Sequence, residues 1–119
     1  MSDPYSLIEI EKQLRELNST SGSELLELKK LEHRRANAEH ALSVGEAKAF
    51  MQAQGTVAFK EAFVTLETRH QARAARLAKV AVDYAKSKVR ERENTRSALQ
   101  TQAKLALEAM RLAGYGGGA

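Results

Sequence analysis

The chain has 119 residues, 29% of them charged and 43% hydrophobic, with a net charge of +4 and no cysteine or tryptophan. That length allows one domain, and the lack of cysteine excludes a disulfide framework and thiolate chemistry. No 18-residue apolar run occurs, and the start MSDPYSLIEIEKQLREL has neither a basic opening nor an apolar centre. A membrane span and a secretory signal are therefore not expected, and a cytoplasmic protein is.

Asp3 followed by Pro4, the only proline, reads as an N-cap and first helical residue, which opens a helix over about 4–18. The run NSTSGS at 18–23 reads as a polar break, with Ser21 and Glu24 spaced as a capping box for a second helix over 24–54. Gly55 supplies a stop and Thr56 an N-cap for a third helix over 57–113, although Phe59 stands where a capping box would place Glu or Gln. Residues in between are mostly Ala, Leu, Glu, Lys, Arg and Gln, which lose little entropy in a helix. The expected fold is thus all-α, a single helical domain over 1–113 with a Gly-rich tail at 114–119 in which Tyr115 is a lone aromatic.

A third helix of that length would run about 85 Å, too long to be covered without a partner. Its apolar residues alternate steps of three and four: Ala75, Ala78, Val82, Ala85, Val89, Arg92, Arg96, Leu99, Ala103, Ala106 and Met110. Leu7, Ile10, Leu14 and Leu17 do the same in the first helix, and Leu28, Leu31, Arg35, Ala38 and Leu42 in the second. This is the repeat of a coiled coil. A second stripe of Leu77, Tyr84, Ala98, Leu105 and Leu112 lies at seven-residue steps on another face. Two stripes on one helix predict an elongated hairpin that also self-associates, with Val82, Val89, Leu99 and Met110 in the oligomer seam. Phe50, Met51, Phe59, Phe63 and Leu66 are expected to close a small core at the hairpin tip.

Charge is distributed unevenly. Residues 1–33 carry −3, residues 34–68 carry none net, and residues 69–119 carry +7. In a hairpin folded at Gly55, residue i faces roughly 111 minus i, so Glu24, Glu27 and Glu32 would neutralise Lys86, Lys79 and their neighbours, with Arg92 and Arg96 against Ser19 and Arg15. Arg69, Arg73 and Arg76 lie at i, i+4 and i+7 opposite a neutral stretch, and with Lys79, Lys86 and Arg90 they form the candidate phosphate contacts.

Catalytic chemistry is sparse. His33 and His40 are seven apart, and Glu67 with His70 makes one Glu-x-x-His step where a di-iron bundle needs two. No nucleophile elbow and no phosphate-binding glycine loop occurs. The expectation is a non-enzymatic protein without metal or cofactor.

The segment AKAFMQAQGTVAFKEAFVTLET at 47–68, followed by an Ala/Arg-rich helix and LAG before the glycines, resembles a group of small bacteriophage proteins. Their pattern is A-(R/K)-AF-x-x-(A/E)-x-G-(T/S)-V, and the likeness extends over Ala47 to Ala113. In that group the residue after TVA is often acidic, whereas this chain has Phe59. The resemblance implies an accessory role in phage DNA replication or recombination within the host cytoplasm, through single-stranded DNA or a recombinase. Other functions open to such a chain are an adaptor or inhibitor of a host defence complex, and a virion component.

Overall fold

The computed structural model describes residues 6–114, and everything described is helix, turn or cap. Three helices follow in order: α1 (Leu7–Gln52), α2 (Val57–Glu67) and α3 (Arg69–Leu112). They form two compact units, a terminal one from Met1–Leu25 with Ser87–Ala119 and a central one from Leu26–Lys86. Within each unit α1 runs antiparallel to α3, as an all-α hairpin requires.

In the terminal unit Ile10 of α1, with Leu99 and Ala106 of α3, forms the buried cluster, and Leu7, Leu14, Leu17 and Ala103 pack around it. These are the three-and-four positions read from the sequence. In the central unit Ala49, Ala53, Ala75 and Val82 are buried, Val82 completely. Leu28, Leu31, Arg35, Ala38 and Leu42 are half-buried along the same stripe of α1. Of the four residues expected in an oligomer seam, Val82 and Leu99 are buried and Val89 half-buried within the single chain. Met110, the fourth, is 42% exposed.

α1 begins one helical turn later than expected. Ser6 Oγ accepts the Glu9 N–H at 3.4 Å, and the Ser6 carbonyl accepts from Ile10 at 3.0 Å, so Ser6 is the cap. Asp3 and Pro4 lie outside the described residues, as do Tyr115 and the glycines after it.

The polar run at 18–23 does not break the helix. Ser19, Thr20, Ser21 and Ser23 each donate a hydroxyl hydrogen bond back to a carbonyl three or four residues earlier, including Ser21 to Asn18 at 3.1 Å. Ser21 is thus no capping box, and its seam spacing from Leu17 and Glu24 keeps the helical repeat intact. Gly22 points outward with nothing within 4 Å of where a Cβ would stand. Gly22→Ala consequently stabilises the protein by about 1 kcal/mol, read as a higher thermal midpoint. A helix end at this position would make the change neutral or unfavourable.

The turn forms as expected. Gly55 adopts φ +111°, a region that L-residues avoid. Thr56 Oγ1 accepts the Phe59 N–H at 3.2 Å, so the N-cap holds without an acidic residue at position 59. The Phe59 ring rests against Gly55, 3.3 Å from its would-be Cβ.

The long third helix is interrupted instead. Thr68 has φ −105° and ψ 11°, and it ends α2 before α3 begins at Arg69. Its hydroxyl donates to the Val64 carbonyl at 2.7 Å and its N–H to the same carbonyl at 3.0 Å. This buried threonine satisfies its own polar atoms at the cost of one helical step.

Candidate nucleic-acid interface

With Ala75, Ala78, Val82 and Ala85 turned inward on the seam, 3.5 residues per turn places the other side chains of α3 around the axis. Arg69, Arg73, Arg76, Lys79 and Lys86 then fall within one arc of about 100° on a single side of the central unit, and all five are exposed. Arg90 is also exposed and belongs to the terminal unit. Asp83 is the only carboxylate between Arg69 and Lys86.

Among the described residues, none of these six cations makes an ion pair within 4.0 Å. The ion pairs that do form are Arg15–Glu11 at 3.6 Å, Arg35–Glu39 at 2.8 Å, Arg92–Glu24 at 2.5 Å and Arg111–Glu108. Three of the four are local pairs on one helix, which contribute only a few tenths of a kcal/mol each. Glu24 pairs with Arg92 of the basic stripe, while among the described residues neither Lys79 nor Lys86 makes a direct ion pair with Glu24, Glu27 or Glu32. Arg92 bonds Thr20, one residue from the Ser19 anticipated opposite it, and reaches along α1 to Glu24.

Arg35 sits on the seam stripe of α1 in the central unit. Its guanidinium pKa is raised, first by the hydrogen bond to Glu39 and further by the charges of Glu39, Asp83 and Glu32. Arg35 and Arg92 of the seam thus each meet a specific acid, whereas the outward arc sets five cations beside Asp83, which stands seven residues after Arg76.

From Arg69 to Lys79 the arc runs about 15 Å along the helix, at a rise of 1.5 Å per residue. Its length matches a few nucleotides of a strand. Leu77, Val80 and Tyr84 are exposed beside it. The arrangement combines unneutralised charge with an adjacent apolar and aromatic surface.

The tip presents a different surface. Phe50, Met51, Val57, Phe59 and Leu66 are all exposed, so they do not close the small core expected there. Of the apolar side chains of α2, Phe63 and Val64 are half-buried. Lys60 Nζ stands 5.5 Å from the Phe50 ring centroid. In the terminal unit Leu105 and Leu112 are likewise exposed.

His33, His40 and His70 are exposed, and no group of three or more His, Asp or Glu side chains able to hold a metal converges among the described residues. No helix among them is long and apolar enough to cross a membrane. The chain matches no family model, no curated protein and no solved structure. Two features escaped the sequence reading, namely Thr68 and the Glu24–Arg92 pair. The first has no flanking signal, and the second needs the register.

Proposed function

We propose that the chain is a non-enzymatic nucleic-acid-binding protein that holds the sugar-phosphate backbone on Arg69, Arg73, Arg76 and Lys79 of α3, with Lys86 extending the same side. The carrying observation is the one-sided arc of exposed cations without a carboxylate partner. Binding of this kind is sequence-independent and driven by counterion release, so it needs no pocket. Exposed Leu77, Val80 and Tyr84 favour a single strand, whose unpaired bases can rest on apolar and aromatic side chains. A role in recombination or replication rests on the phage resemblance alone.

The test is an amide chemical-shift titration of the protein with a short single-stranded oligonucleotide. Shifts are expected along 69–86, concentrated at Arg69 to Lys79. Absence of shifts there, or shifts confined to the helix tip, overturns the assignment.

A second reading is supported by the exposed Phe50, Met51, Val57, Phe59 and Leu66, a surface suited to a protein partner. It fits the adaptor or inhibitor role, and in that case the oligonucleotide leaves the spectrum unchanged.

A further inference from the structure

The tip of the central unit leaves a large apolar surface exposed. Phe50 and Met51 in the last turn of α1 and Val57 and Phe59 in the first turn of α2 are 53%, 84%, 70% and 58% exposed. At roughly 200 Å² for a side chain of this kind, the four offer about 500 Å² of apolar surface, as much as the largest patch on an ordinary monomer. Beside them a groove runs between α1 and α2, with Ala47, Phe50 and Val64 as its apolar lining and Glu46 and Glu61 as its two carboxylates. Neither carboxylate makes an ion pair among the described residues. Thr65, also in the groove, donates its hydroxyl to the Glu61 carbonyl at 3.0 Å. Lys60 Nζ stands 5.5 Å from the Phe50 ring centroid, so one cation accompanies the two acids.

An apolar side chain with a cation close behind it suits such a groove. The same tip carries that pair. Met51 is the most exposed large apolar side chain described, and exposed Lys48, three residues earlier, is its neighbour on the surface of α1. A thioether adapts to an irregular apolar recess and packs well against an aromatic ring, which Phe50 supplies. Groove and complement on one surface are what a two-fold interface requires, because each copy then gives the other what it receives. Two such tips bury about 1,000 Å², enough for a specific interface. Charge selects the same place. Residues 69–119 carry a net +7 and repel a second copy, whereas 44–67 carry two lysines and three glutamates.

We propose that two copies of this chain associate tip to tip, with Met51 of each seated over Phe50 in the groove of the other and Lys48 of each facing the partner's Glu46 and Glu61. The contact lies wholly within the central unit, and it stands whether or not the outward arc of α3 binds nucleic acid.

The test is the molar mass of the full chain by light scattering, at concentrations up to about 100 μM, where an interface of micromolar affinity is filled. The wild type is expected to approach twice the 13.1 kDa of one chain. Met51→Glu keeps a good helix former at an exposed position and sets a carboxylate against Glu46 and Glu61, so it is expected to stay at the mass of one chain with an unchanged helical signal. Lys48→Glu weakens the dimer by about tenfold or more, and combining it with Glu46→Lys and Glu61→Lys restores the dimer. That recovery ties the contact to this groove, since association through another surface does not respond to the swap. Should Met51→Glu fail to fold, the charge swap decides. A wild type that stays monomeric leaves the tip to a foreign protein and overturns the proposal, as do a folded Met51→Glu that still dimerises and a charge swap that does not recover the wild-type mass.

Discussion

Val82→Asp unfolds the central unit. Val82 is the one large side chain in the described chain with no exposed surface, and it sits in a seam where most neighbouring positions are alanine. Alanines let helix axes approach closely but bury little area each, so the seam has small reserves. A carboxylate at that point loses its hydration and finds no cation among the seam alanines Ala75, Ala78 and Ala85. The cost is about 4 kcal/mol or more, a large part of the 5–15 kcal/mol that holds typical domains folded. Val82→Ala, which removes two methyl-sized groups, costs about 2 kcal/mol. Far-ultraviolet circular dichroism through a thermal ramp checks both. The Asp variant is expected to lose helical signal at room temperature, and the Ala variant to melt earlier but cooperatively. A wild-type melt for Val82→Asp would mean that the seam does not enclose this residue.

The combined change Arg69→Glu, Arg73→Glu and Arg76→Glu removes oligonucleotide binding while leaving the helices in place. All three side chains are exposed and none has an ion pair to lose. Glutamate is about as good a helix former as arginine, and at position 69, the first residue of α3, a negative charge suits the helix dipole. Each guanidinium–phosphate pair contributes about 1 kcal/mol at a solvated surface. Losing three such pairs lowers affinity by about a hundredfold, and the added repulsion lowers it further. Fluorescence anisotropy of a labelled single strand gives the affinity, and circular dichroism verifies the fold.

The helical class, the turn at Gly55–Thr56 and the positions of the seam were legible because each rests on a local or periodic signal. Leu7, Ile10, Leu14 and Leu17 repeat every three and four residues, and in the structure they cluster where that repeat puts them. The run at 18–23 resembles a break because Asn, Ser, Thr and Gly favour turns in isolation. The same hydroxyls can bond back to the helix when the flanking seam residues are held by a partner, and here they do. Tertiary packing overrides propensity in such a segment. Thr68 was invisible for the opposite reason, since Glu67 and Arg69 beside it are ordinary helix formers and its hydroxyl bond to Val64 is local but optional.

The arc of Arg69, Arg73 and Arg76 could be read from spacing alone, and its exposure followed once the seam was placed. Whether Lys79 and Lys86 were neutralised could not, because that depends on register. Arg92 stands beside Thr20, close to the anticipated register, and its long side chain reaches Glu24, which position alone did not reveal.

Phosphate binding by the arc is tested most directly by the slope of log affinity against log salt for a single-stranded oligonucleotide. Four phosphate contacts from Arg69, Arg73, Arg76 and Lys79 give a slope of about −3 for the wild type, at about 0.7 per contact. The triple variant, with three contacts gone, is expected to retain a slope of about −1 or less where binding is still measurable. A wild-type affinity that does not respond to salt, or equal slopes for the two proteins, would contradict the assignment of the arc as the binding surface.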